Sequence, residues 1–145
     1  MHNDDIVGFG CAIRNNNGDW QRGCAGTIQV SSVLEGKLFA IYKSLLLAWE
    51  ADFKEVYCET DCHEAYVLLK DFNIPLCSQK SVLISRIQNI ILWPWRVELN
   101  LIQRTANRVV DAMAKHTITH RVHYAKWLSP WKDLRELINL DVATS

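Results

Sequence analysis

Residues 55–61 read EVYCETD, a short apolar strand that ends on an acidic residue. Residues 56–58 are consecutive apolar residues, which favours a strand covered on both faces, and residues 62–72 then read as a helix. Open α/β sheets bind ligands at the carboxyl ends of their strands, so Asp61 occupies a candidate functional position. The alternative is that Asp61 only caps the helix that follows it.

The chain before this strand predicts a β-hairpin followed by a long helix. Residues 6–14 and 19–28 read as strands, and the run NNNG at residues 15–18 is a strong turn signal between them. A helix with apolar residues at helical spacing opens at Ser32. Glu35 stands three residues later, which is typical of a capping box in which the Glu carboxylate accepts a hydrogen bond from the cap residue's amide.

The chain after Asp61 adds three helices and one strand. Helices are predicted over residues 62–72, 80–92 and 107–120, and the alternation at residues 97–101 predicts a half-buried strand. The element order is therefore β-β-α-β-α-α-β-α, an α/β fold in one domain, residues 1–120. Residues 121–145, rich in Trp, form a C-terminal tail that we expect to dock on this domain or to bind a protein partner.

Composition limits the classes of function. The 145 residues carry 16 Lys plus Arg and 16 Asp plus Glu, so the net charge is zero and no global field attracts nucleic acid or a membrane. The five Cys are odd in number and lack paired C-x-x-C spacing, which favours buried thiols in a reducing compartment over a zinc site. Without a signal peptide or an apolar span, the expected location is intracellular, cytoplasmic or nuclear.

Five segments in this order resemble the ribonuclease H-like domain of plant retroelement-derived proteins, in the RNase H type-1 superfamily. They are residues 8–14 (GFGCAIR), 17–20 (NGDW), 34–40 (LEGKLFA), 59–61 (ETD) and 106–115 (ANRVVDAMAK). The resemblance covers about residues 6–118. It implies a mixed five-stranded sheet flanked by helices, RNA–DNA hybrid as the bound nucleic acid, and four carboxylates that hold two Mg²⁺ or Mn²⁺ ions for phosphodiester hydrolysis.

The resemblance assigns two of these carboxylates. In the family, an Asp after the fourth strand and an Asp in the final helix bind metal, and they match Asp61 and Asp111. The family's ligand Glu in the first helix corresponds to Lys37. Glu35 matches the neighbouring Glu that is not a ligand and lies about half a helical turn away, so its capping role is favoured and substitution as a catalytic ligand is the alternative.

The fourth ligand belongs to the family's first strand, which would precede Met1 and is missing here; Asp4 and Asp5 match only the loop after it. Because that strand is central in the family's sheet, its absence predicts a gap between the hairpin and the strand at residues 55–60. Either the two parts of the sheet close up, or the chain is a decayed or truncated copy. Unpaired strand edges would be destabilising and prone to pairing with another chain.

The resemblance therefore predicts a nucleic-acid-binding domain whose RNA–DNA hybrid hydrolysis is absent or very weak. An ammonium at Lys37 would supply charge that Mg²⁺ should supply to Asp61. Arg104, Asn107 and Arg108 match positions where the family contacts the hybrid, although ordinary loop polarity and capping would also explain them. The alternative function is a non-catalytic retroelement remnant or a protein-interaction module.

Overall fold

The computed structural model describes residues 5–15, 17, 19–72, 79–103, 108–119 and 124–127. The predicted order β-β-α-β-α-α-β-α is confirmed, and one further short strand follows it. The elements are β1 (Asp5–Arg14), β2 (Trp20–Val30), α1 (Val33–Glu50), β3 (Glu55–Thr60), α2 (His63–Lys70), α3 (Gln79–Ile91), β4 (Arg96–Leu101), α4 (Arg108–Thr119) and β5 (Tyr124–Trp127).

The strands form two sheets. The antiparallel sheet has the order β1-β2-β5, and β3 pairs with β4 in parallel. No backbone ladder joins the two sheets within the described residues. The predicted separation between the hairpin and the strand at residues 55–60 is therefore present.

Helix α1 spans both sheets because its wide apolar face packs against β1, β2 and β3. Helices α2 and α3 complete the layer, since α2 contacts β3 and β4 while α3 packs on α1 and α2. The main core lies between these helices and the parallel pair of strands. Its buried members are Leu34, Leu38, Ile41, Leu45, Cys58, Ala65, Leu69, Ile84, Ile87, Ile90 and Leu99.

The hairpin is covered on both faces. Successive residues of a strand point to opposite faces. In β1, the ring centroid of Phe9 lies 5.1 Å from that of Phe39 in α1, whereas Gly10 faces α4. On the α1 face, Cys11 and Cys24 are partners in the β1–β2 register and form a disulfide. The prediction of separate buried thiols is therefore wrong for this pair, because the hairpin register sets them opposite each other.

Within the described residues, the parallel pair of strands is covered on one face and exposed on the other. Cys58 is buried, whereas Tyr57 is 52% exposed and its neighbours Glu55 and Glu59 are also exposed. The prediction that residues 56–58 are covered on both faces is wrong, because strand alternation turns Tyr57 to solvent despite the apolar run.

Strand β5 comes from the segment predicted as a tail. Tyr124 stacks on Phe9, and the Lys43 ammonium lies 5.1 Å from the Tyr124 ring centroid and 5.5 Å from that of Phe39. These contacts fasten β5 to β1 and α1, in addition to its backbone pairing with β2. Residues 128–145, including Trp131, lie outside the described residues, so the docking of the tail and its use as a protein contact stay predictions.

Gly10 sets the distance between β1 and α4. A Cβ at residue 10 would lie 2.6 Å from Met113 Cβ and 2.8 Å from the Val110 backbone oxygen. We predict that Gly10→Ala lowers the free energy of unfolding by about 2 kcal/mol, because the backbone of α4 must move to admit the methyl group. Urea denaturation followed by circular dichroism measures this change.

Gly36→Ala is the matched control. The new Cβ would lie 3.2 Å from Val7 Cγ2, the end of a side chain that can shift, and Ala gains about 1 kcal/mol over Gly in a helix interior. We expect this variant to be as stable as the wild type or more so. Equal urea midpoints for Gly10→Ala and wild type would show that α4 does not depend on a glycine at this position.

Candidate functional site

Asp61 stands directly after β3, at the strand end where the sequence places a candidate site. The turn out of β3 is fixed by two hydrogen bonds: Thr60 Oγ1 accepts from the Cys62 amide at 3.2 Å, and the Thr60 carbonyl accepts from the Ile102 amide at 2.8 Å. Cys62, not Asp61, occupies the N-cap position of α2. Asp61 therefore lies at a hydrogen-bonded junction, one residue before the N-cap position of α2.

Lys37 forms an ion pair with Asp61. Its Nζ lies 3.1 Å from Asp61 Oδ1, and the side chains are 29% and 4% exposed respectively. A carboxylate so deeply buried needs a partner for its charge, and here α1 supplies it. The predicted ammonium beside Asp61 is therefore present, and the pair joins the first half of α1 to the carboxyl end of β3.

Glu35 serves the start of α1. Its Oε2 accepts hydrogen bonds from the Ser31 amide at 3.0 Å and the Ser31 hydroxyl at 2.8 Å, while Ser32 Oγ accepts from the Glu35 amide at 3.2 Å. The capping role is confirmed, although the carboxylate reaches Ser31 rather than the predicted Ser32 amide. Two residues along a helix turn the side chain by about 200°, so Glu35 and Lys37 project from nearly opposite sides of α1.

Comparisons with known proteins agree with this architecture. Residues 1–117 match the protein family described as reverse transcriptase-like. The chain belongs to this family, and its fold is ribonuclease H-like. No curated protein sequence matches the chain.

Two solved structures show the same fold. RNase H1 from the halophilic archaeon Halobacterium salinarum NRC-1 is 17% identical with a TM-score of 0.67, over 83% of this chain and 91% of that one. The N-terminal RNase H domain of a Mycobacterium tuberculosis protein, solved as a fusion with maltose binding protein, is 12% identical with a TM-score of 0.57, over 77% and 96% of the two chains. At these identities the likeness concerns the fold.

The other predicted site residues of this ribonuclease H-like domain lie in or near α4. Asp111 is the fourth residue of that helix and Arg108 is its first, but their side chains are outside the described residues. Arg104 and Asn107 precede the helix and lie outside the described residues altogether. The catalytic, metal-binding and nucleic-acid-binding assignments of these four residues stay predictions.

The described residues at Asp61 do not fit a divalent metal ion. The Lys37 ammonium lies 3.1 Å from the Asp61 carboxylate, and a metal ion placed there would meet that cation. Among the side chains that the structure describes, no group of three or more His, Cys, Asp or Glu could hold a metal. Burial, followed by the charge of Glu59, raises the pKa of the neighbouring Cys58 thiol to about 12, which keeps this buried thiol neutral.

None of the helices in the described part of the chain is long and apolar enough to cross a membrane. Lys37 is a site residue that the sequence does not predict as a binding residue, because it stands where the family has a ligand Glu and so indicates the loss of a ligand. In the family, the Glu at this helix position and the Asp after the strand would bind the same metal ion. A lysine in place of that Glu therefore indicates an ion pair with the Asp, here Asp61.

The Lys37–Asp61 pair should be energetically coupled. We predict that Lys37→Met lowers the free energy of unfolding by about 1–3 kcal/mol, because the buried carboxylate loses the ammonium that lies 3.1 Å from it. Asp61→Asn should cost less, since the partly exposed Lys37 can turn to water. The double variant should then be more stable than the sum of the single effects predicts, by about 1 kcal/mol or more.

The exposed pair between Lys126 and Glu50 is the control for this cycle. Lys126 Nζ lies 2.7 Å from Glu50 Oε2, yet the side chains are 49% and 57% exposed. Its coupling energy should be below about 0.5 kcal/mol. Urea titrations of both cycles measure the two values, and additive effects at Lys37 and Asp61 would contradict a structural role for that pair.

Proposed function

We propose that this chain is a nucleic-acid-binding ribonuclease H-like domain that recognises RNA–DNA hybrid and hydrolyses it very weakly or not at all. The observation that carries the proposal is the ion pair between Lys37 and Asp61. It is set in a fold shared with RNase H1 structures. Descent from a plant retroelement enzyme, in which Asp61 and Asp111 once bound metal, would account for both features.

The expected loss of hydrolysis rests on electrostatics. Two-metal hydrolysis needs hard oxygen ligands that converge on two divalent ions, which bind the scissile phosphate and stabilise the leaving oxygen. At Asp61 the described partner is a cation, so the local charge that would attract a metal ion is already neutralised. Any residual activity would use Mg²⁺ or Mn²⁺, with Asp61 and Asp111 as its ligands.

Binding can persist without hydrolysis because most contacts to nucleic acid go to the sugar–phosphate backbone. An A-like hybrid duplex also offers 2′-hydroxyl groups in a wide, shallow groove. We propose Arg104, Asn107 and Arg108 as contacts of this kind, next to the start of α4. A chain with zero net charge requires such local contacts, since no global field steers the ligand.

Hybrid binding is tested by a salt titration. Fluorescence anisotropy with a labelled RNA–DNA hybrid should give a dissociation constant that rises steeply between about 50 and about 200 mM salt, because each phosphate contact releases counterions. Arg104→Ala with Arg108→Ala should reduce the slope by about 1–2 units. Failure to bind even at low salt would reject nucleic-acid recognition and favour the alternative of a non-catalytic retroelement remnant or protein-interaction module.

Hydrolysis is tested separately on the same hybrid. We expect no turnover, or only traces of it, in Mg²⁺ and in Mn²⁺, measured by gel electrophoresis of the labelled RNA strand. Asp61→Asn serves as the matched control, because a contaminating nuclease would be unaffected by it. Efficient wild-type cleavage that disappears in Asp61→Asn would overturn the proposed loss of activity.

A further inference from the structure

The two members of the Lys37–Asp61 pair differ in their access to solvent. The Asp61 side chain is 4% exposed, whereas that of Lys37 is 29% exposed. A ligand that arrives from solvent at the end of β3 can therefore reach Lys37 but little of the carboxylate.

The ammonium also retains donor capacity. The Lys ammonium carries three N–H donors, and the contact with Asp61 Oδ1 at 3.1 Å uses one of them. An oxygen of a phosphodiester is a strong acceptor for the remaining donors, because both partners are charged. The buried Asp61 fixes where this donor group lies, since the ion pair ties it to the rigid end of β3.

We propose that Lys37 is a phosphate-binding residue, and that its ammonium contacts a backbone phosphate of the nucleic acid where a divalent ion would otherwise stand between phosphate and Asp61. The inference rests on the proposed function, because it names one contact of the same bound nucleic acid. Asp61 acts as the positioning residue and does not touch the phosphate. Binding at this point therefore requires no metal ion.

The proposed contact places a cation between two negative groups, the phosphate and the Asp61 carboxylate. A phosphate placed directly against a buried carboxylate would be repelled, and metal enzymes insert divalent ions between them. Lys37 supplies one positive charge at the same junction through a covalently attached side chain. Because it is a point charge on a flexible stem, it can follow a backbone phosphate without reading base sequence.

The test compares Lys37→Met with Lys126→Met in hybrid binding. Both substitutions remove an ammonium that is paired with a carboxylate, but Lys126 pairs with Glu50, the last residue of α1, about 20 Å along the helix from Lys37. Anisotropy titrations of wild type and both variants are run in EDTA, over about 50–200 mM salt. Circular dichroism melting curves restrict the comparison to temperatures at which each variant is folded.

We expect the wild type to bind in EDTA with an affinity no lower than in Mg²⁺, because Mg²⁺ competes for the phosphates as a counterion. Lys37→Met should weaken binding roughly tenfold at low salt and reduce the slope of log K against log salt by about 0.9. Lys126→Met should leave both unchanged. Lys37→Arg, which keeps the charge and donors, should restore most of the affinity and the slope.

The outcomes separate this inference from the proposed function. Wild-type binding with a salt slope that Lys37→Met leaves intact would overturn the phosphate contact and leave Lys37 as an internal ion pair only, while hybrid recognition stands. Wild-type binding that requires Mg²⁺ would also overturn it. Absence of wild-type binding at low salt would reject the proposed function itself, and the phosphate contact with it.

Discussion

Helix α1 is the element on which the rest of the structure depends, because two sheets without a shared backbone ladder both pack against it. Burial of its apolar face supplies the main core, which extends to α2 and α3. The same helix presents three different side chains to three different tasks. Glu35 caps its start, Lys37 pairs with Asp61 at the end of β3, and Lys43 contacts the Tyr124 ring of β5.

The charge on residue 37 determines which kind of ligand the end of β3 can attract. With an acid there, the junction would present two carboxylates and attract divalent cations. With Lys37, the described junction is a neutral pair with its cation toward solvent. An acidic residue at position 37 would therefore make this junction a metal-binding site, whereas Lys37 places an ammonium there. The surrounding fold is ribonuclease H-like in both cases.

Much of the fold follows from local patterns in the sequence. Helical spacing, the turn at residues 15–18 and the alternation at residues 97–101 predict eight elements in their observed order. β5 is missed because a strand of four residues is too short to show a clear alternation of apolar and polar residues. The exposure of Tyr57 and the pairing of Cys11 with Cys24 depend on which face is covered and on strand register, which are tertiary properties. At the site, residue correspondence places Lys37 and Asp61 together, but only the structure shows that their charges meet.

The separation of the two sheets has a mechanical consequence. A continuous hydrogen-bonded ladder fixes neighbouring strands in register, whereas layers joined by packed side chains can slide by small shear displacements. In the described residues, the hairpin sheet and the parallel pair are related through α1 in this second way. Within the described residues, the Lys37–Asp61 contact between α1 and the end of β3 and the Lys126–Glu50 contact between β5 and α1 both resist such sliding, so the alignment of the two sheets depends on these ion pairs in addition to the apolar packing.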